Sequence, residues 1–248
     1  MDRLIYSSLA AMRGNLARQA TNASNLANVS TTGFRAEMEA ARPLWVEGRG
    51  LPGRATVSQE VSGADMSAGS VTSTGRDLDV ALDGDAMLAV QGANGEEAYT
   101  RRGDLQIAAS GLLTTGDGRP VLGQGGPVTL PPVDSLSIDK DGTIWIVPAG
   151  GDAKSPQQAD RLKLVSPEGT AGLTKGVDGA FHVAGGGTLP ADPDARVTAK
   201  SLESSNVNAS LALMQMIDSS RSWETHVKML TTAQQMDQSA ADLMRLPD

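Results

Sequence analysis

Residues 5–26, IYSSLAAMRGNLARQATNASNL, place Ile5, Leu9, Met12, Leu16, Ala23 and Leu26 at successive spacings of 4, 3, 4, 7 and 3, with Gln19 in the skipped slot. An apolar repeat of period 3.5 gathers these side chains into one narrow stripe of an α-helix. The intervening Ser7, Ser8, Ala10, Ala11, Arg13, Asn15, Arg18 and Thr21 are small or polar, so the helix is not one buried all round. The pattern predicts a helix over roughly 3–28, about 39 Å long at 1.5 Å per residue. Asn25, Asn28, Ser30, Thr31, Thr32 and Gly33 then close it with residues that tolerate turns and positive φ.

The other end of the chain repeats the pattern. Leu213, Met216, Ser220, Trp223, Val227 and Leu230 are spaced 3, 4, 3, 4 and 3, and the stripe then shifts by one residue to Ala233, Met236, Ala240 and Leu243. A helix of about 206–245 would run ~60 Å. A stripe at 3.5 spacing asks for a partner helix, and a lone helix carrying one is marginal in water. The two ends are therefore expected to pair, with each other or with copies of themselves, as a coiled-coil-like bundle. Periodicity alone leaves open the alternative of two ordinary amphipathic helices packed on their own domain.

Between these helices the composition changes. Residues 43–199 hold 26 of the 28 glycines and 11 of the 12 prolines, which punctuate loops and strands and weaken helices. Short strands are expected at 78–82, 87–91, 97–101, 105–108, 120–122, 136–138, 143–147, 161–165 and 181–183. Tight turns are expected at Asn94-Gly95 and at Asp141-Gly142. The resulting fold class is α+β: long N- and C-terminal helices flanking a mainly-β middle. Its expected divisions are a helix with its end motif over 1–34, an extended connector over 35–75, a β domain over 76–199 and a second helix over 200–248.

Composition narrows the function. Of 248 residues, seven are aromatic, thin for a ring-lined cofactor pocket or a base-stacking surface. The formal net charge is −8, so a nucleic-acid backbone would be repelled. Without cysteine and with only His182 and His226, thiol catalysis and a histidine-rich metal centre are set aside. No stretch reaches the ~18–20 apolar residues that span a bilayer, and the start Met1–Tyr6 lacks the layout of a cleavable secretory signal. The chain is expected to stay in the cytoplasm or to leave by a route that needs no such signal. Asp139, Asp141 and Gly142 sit as in a calcium loop, but Ser137 and Pro148 fall where its first carboxylate and last glutamate belong. The run Asp77, Asp79, Asp83, Asp85 offers the one cluster for paired acid–base work; with Leu78, Val80 and Leu82 facing inward, a solvent-facing row is the plainer reading. Gly123, Gly125 and Gly126 lack the spacing of a phosphate cradle. No catalytic, cofactor or metal residue is assigned.

Ser24-Asn25-Leu26-Ala27-Asn28-Val29-Ser30-Thr31-Thr32-Gly33-Phe34-Arg35 closely resembles the N-terminal signature of the bacterial flagellar axial proteins of the rod and hook. Thr74–Asp85 followed by Tyr99–Asp104 is similar to the start of that family's β domain, and Leu202–Val207 to the segment that opens its C-terminal helix. The opening Met1–Tyr6 is most similar to proximal rod members. The resemblance implies a structural subunit of the rod that crosses the periplasm. Such a subunit is exported by the flagellar type III apparatus, and its terminal helices line an inner tube that carries torque. It implies partners among copies of itself and other proximal and distal rod proteins, with no cofactor, nucleic acid or membrane insertion. The assembly interface would be Ile5, Leu9, Met12, Leu16, Ala23, Leu26, Leu213, Met216, Trp223, Val227, Leu230, Met236 and Leu243. Asn25, Asn28, Gly33 and Phe34 would form the helix-end motif. A distal rod or hook subunit is the alternative within the family. Outside it stand a periplasmic β-rich glycan-binding protein or cell-wall hydrolase, and a cytoplasmic coiled-coil adaptor.

Overall fold

The computed structural model describes residues 2–45, 55–151, 155–167, 172–176 and 178–243, with side chains from residue 8 to 39 and from 63 to 242 within those ranges. The chain begins with helix α1 (Asp2–Ala27), then strands β1 (Glu37–Trp45), β2 (Ala55–Ala64), β3 (Val71–Ser73), β4 (Val80–Leu82), β5 (Met87–Gln91), β6 (Glu97–Thr100), β7 (Leu105–Ile107) and β8 (Leu113–Thr115). There follow β9 (Val133–Ile138), β10 (Thr143–Pro148), β11 (Gln157–Arg161), β12 (Leu164–Val165), β13 (Leu173–Lys175), β14 (Phe181–Val183), β15 (Val197–Ala199), β16 (Ser201–Glu203) and helix α2 (Ala209–Leu243). The chain divides into two compact units: unit 1 comprises 1–27, 37–62 and 208–248, and unit 2 comprises 28–36 and 63–207.

Unit 2 is built around a five-stranded sheet of order β12-β5-β6-β14-β13. Strand β5 shows why its sequence is apolar nearly throughout. Leu88 and Val90 enter one buried cluster with Val80, Leu105, Leu113 and Val121, while Met87 and Ala89 enter another with Tyr99, Val165 and Phe181. Successive side chains point to opposite faces, so a strand covered on both must be apolar at every position. Tyr99 is buried in the second cluster; its hydroxyl accepts from the Leu189 amide at 2.6 Å and donates to Glu97 at 2.9 Å. Burial pushes its pKa up to about 12.

Both expected tight turns form. Gly95 at φ 79° joins β5 to β6, and Gly142 at φ 82° joins β9 to β10, each in the left-handed region that glycine enters freely. Asp141 accepts from the Thr143 amide at 3.0 Å and from its hydroxyl at 2.9 Å, turn bonds that occupy the carboxylate of the calcium-like candidate. Of the expected strands, 120–122 makes only isolated bridges, and 161–165 divides between β11 and β12. In the stretch expected as a connector, β1 pairs with β2, and β3 pairs with β16; residues 46–54 lie outside the described residues.

Unit 1 corrects the expectation of a coiled-coil-like bundle. The fold is α+β, with two terminal helices flanking a mainly-β middle, but the predicted apolar seam does not join the helices. Leu16, Leu213 and Met236 are 50%, 48% and 54% exposed, and Leu9, Ala23 and Val227 are exposed as well. What the helices bury is small or polar: Ser8, Asn15, Thr21 and Asn25 on α1, and Ala212, Ser219 and Ala233 on α2. Asn15 donates to the Ser222 hydroxyl at 2.9 Å. Small residues let helix backbones approach, and a carboxamide bond sets register. Knobs of large apolar side chains are not what packs here. Helix α2 starts at Ala209 because Asn208 caps it, its side chain accepting from the Leu211 amide at 3.1 Å.

Candidate functional site

Two features stand out: the open faces of the helices in unit 1 and a buried polar junction in unit 2. Of the residues expected at an assembly interface, Leu9, Leu16, Ala23, Leu213, Val227 and Met236 are exposed, and Met12, Leu26, Met216, Trp223 and Leu230 are partly buried. The side chains of Ile5 and Leu243 lie outside the described residues. Leu211, Met214, Ile217 and Met229, which no spacing singled out, are exposed too. Among the described residues no helix is long and apolar enough to cross a membrane.

The helix-end motif has two jobs. In unit 1, Asn25 clamps the start of β1: its Nδ2 donates to the Glu37 carbonyl at 3.1 Å, and its Oδ1 accepts from the Glu37 amide at 2.8 Å. In unit 2, Asn28 accepts from the Thr31 hydroxyl at 3.1 Å, and Gly33 donates to the Glu203 carbonyl at 2.8 Å. Lys175 sits 3.6 Å over the Phe34 ring and donates to the Arg35 carbonyl at 2.9 Å. Gly33 has φ 65°, and a Cβ placed there would run into the Arg101 carbonyl. Gly33→Ala should therefore cost about 2 kcal/mol or more, from left-handed strain plus the clash. Urea denaturation of the full chain checks this.

Behind Gly33 lies a buried junction of three charges. Glu203 faces two guanidinium groups: Arg35 Nη2 is 2.6 Å from its Oε1, and Arg101 Nη2 is 2.6 Å from its Oε2, all three side chains being 3% exposed or less. Arg101 also donates to the carbonyls of Leu82, Gly84 and Ala86 at 2.6–2.8 Å, so one side chain staples that loop. Burial lowers the Arg101 pKa, and the Glu203 carboxylate works against that shift. The Gly69 amide adds a donor to Glu203 Oε1 at 2.8 Å. Asn206 completes the closure, accepting from the Ala36 amide at 2.7 Å and donating to the carbonyls of Asp65 and Ser67. Three segments far apart in the chain thus meet at one carboxylate. Sequence reasoning placed Arg35, Arg101 and Glu203 inside quoted motifs without giving any of them a role.

In the acidic run Asp77 and Asp83 are exposed, as the solvent-facing reading expects, and only Asp79 departs from it. Asp79 is buried and accepts from Arg76 and from the Thr74 hydroxyl. Asp77 pairs with Lys200 at 2.8 Å, and Asp83 accepts from the Thr198 hydroxyl at 2.9 Å. The correction has a plain cause: β4 is buried along its whole length, so the residue before it is covered too. His182 pairs with Asp178 at 3.2 Å, while His226 lies partly buried on α2 with its Nδ1 unbonded.

Comparison with known proteins follows the same three segments. Family profiles match in chain order: flagella basal body rod protein over 5–35, flagellar hook protein FlgE/F/G D1 domain over 81–146, and flagellar basal body rod FlgEFG protein C-terminal over 198–243. Arg35, Arg101 and Glu203 fall one in each. The flagellar basal-body rod protein FlgF of Escherichia coli (strain K12) is 43% identical over 238 residues, 94% of either chain. FlgF of Salmonella typhimurium is 39% identical over 252 residues, 99% of this chain and 100% of the relative. The flagellar basal-body rod protein FlgG of Bacillus subtilis is 28% identical over 271 residues, 99% of this chain and 100% of the relative. The chain belongs to the flagellar basal-body rod protein family, within which it is FlgF-like.

Proposed function

We propose that this protein is a structural, non-catalytic subunit of the proximal rod, joined to copies of itself and to other rod proteins through its terminal helices. The observation that carries the reading is the row of large apolar side chains, Leu9, Leu16, Leu213, Val227 and Met236, left exposed on α1 and α2. A single chain gains nothing from displaying them; a neighbouring subunit that covers them gains about 1.5–3 kcal/mol for each fully buried. Subunits related by a non-closing rotation build a helical tube, and such a tube would transmit motor torque to hook and filament. The subunit would reach its place across the periplasm through the flagellar type III export apparatus.

The test is complementation in the source bacterium with its own copy deleted. Leu16→Asp together with Leu213→Asp should abolish swimming and yield no intact basal bodies. The purified variant should unfold within about 0.5 kcal/mol of the parent per change, because both side chains are already half in water. Normal swimming by the double variant would overturn the proposal.

A further inference from the structure

The outward face of α1 is mostly apolar, with the neutral Gln19 at one edge and a single charge at the other. Leu9, Leu16, Ala20, Ala23 and Ala27 recur on it at helical spacing, and Arg13 stands among them, exposed and without an ion pair among the described residues. Covering this face with a neighbour would strip water from a guanidinium, which is costly unless the neighbour supplies a counter-charge. The chain carries a fitting receptor elsewhere in unit 1. An open cleft of about 770 Å³ is lined by Asn15, Arg18 and Asn22 of α1, Glu37 and Glu39 of β1, and Asp218 of α2. Glu37 there accepts from the Ser24 hydroxyl at 3.3 Å, and Arg18 is engaged with Asn15 at 2.6 Å, which leaves Glu39 and Asp218 as the carboxylates for an incoming cation. Glu39 Oε1 is sealed from solvent and accepts no hydrogen bond.

Cation and cleft lie on opposite sides of the same helix, since Arg13 and the cleft residue Asn22 are nine residues, about two and a half turns, apart. One copy cannot bring both into a single self-complementary patch with a two-fold mate. The contact must be heterologous, each copy offering Arg13 to one neighbour and its cleft to the other, and such contacts propagate. We infer that Arg13 of one copy enters the acidic cleft of the next and pairs with Glu39, fixing the order of copies head to tail. This rests on the rod-subunit reading and adds to it a specific pair and a direction.

The experiment is a charge swap in the deletion strain, scored by swimming and by intact basal bodies. Arg13→Glu and Glu39→Arg should each reduce basal bodies roughly tenfold, because each sets like charges face to face. Combined in one chain they should restore at least about half the parent level. Singles that weaken assembly without rescue by the double overturn the pairing, and so do singles without effect; in both cases Leu16→Asp with Leu213→Asp still reports separately on the rod reading. A second measurement does not depend on tolerating the reversed charges. The protein has no cysteine, so Arg13→Cys with Glu39→Cys introduces its only thiols. Mild oxidation of basal bodies should cross-link chains of this double variant into species larger than a dimer. A product that stops at the dimer, or dimers formed by Arg13→Cys alone, would overturn the head-to-tail order.

Discussion

Glu203→Gln should destabilise unit 2 by about 3–5 kcal/mol, the cost of removing one partner from a buried charge pair. The magnitude follows from what stays behind: two guanidinium groups held away from water, with the carboxylate that justified their burial gone. Arg101 keeps its three carbonyl acceptors, so the loop at 82–86 would remain stapled to an uncompensated charge. The two arginines are not equivalent. Arg35 has two buried nitrogens, Nε and Nη1, that meet no acceptor, so Arg35→Met removes unsatisfied donors together with the charge. That variant should cost far less than Glu203→Gln and lie within about 1.5 kcal/mol of the parent. Urea denaturation of the full chain, followed by tryptophan fluorescence, gives both values. Equal costs for the two variants would mean that the junction is not organised around Glu203.

A fragment of residues 28–207 should melt cooperatively, whereas 76–199 should lose its cooperative melt or melt more than about 10 °C lower. The longer fragment keeps Arg35, Glu203 and the β3–β16 pair. The shorter one, whose limits follow the change in composition, keeps Arg101 while discarding Glu203 and Arg35. It also discards Gly69 and Asn206, whose hydrogen bonds close the junction. Carrying 37–62 without its helices adds little penalty, because loop-closure entropy grows slowly with length. Circular dichroism melts of the two fragments decide the matter. Equal melting temperatures would show that the β core is complete without the junction.

Much of this architecture was legible in residues read locally. Both long helices follow from period-3.5 spacing, and their ends fall close to the expected 3–28 and 206–245, at Asp2–Ala27 and Ala209–Leu243. The small shift at the start of α2 is one capping residue, Asn208, that was available to be read. Asn94-Gly95 and Asp141-Gly142 form turns because their backbone demands are met within a few residues. The motif segments likewise carried the family in the linear text.

Which face of a helix meets its own chain was another matter. Helix α2 carries two stripes at heptad spacing, the apolar one through Leu213, Val227 and Leu230 and a small one through Ala212, Ser219 and Ala233. Periodicity favours the stripe with the larger side chains, yet the chain buries the smaller and leaves much of the larger in solvent. Asp79 misled for the same reason: alternation predicts one covered face, and burial on both is a property of what packs against the strand. The junction was the least visible feature. Arg35, Arg101 and Glu203 are far apart in sequence, and no spacing rule joins a carboxylate to guanidinium groups across such distances. The sequence by itself determined the elements, their order and the family, because those depend on interactions between near neighbours along the chain. Only the tertiary structure decided which stripe is covered and which charges share a site, because desolvation and ion pairing depend on distances in space that the linear spacing does not encode.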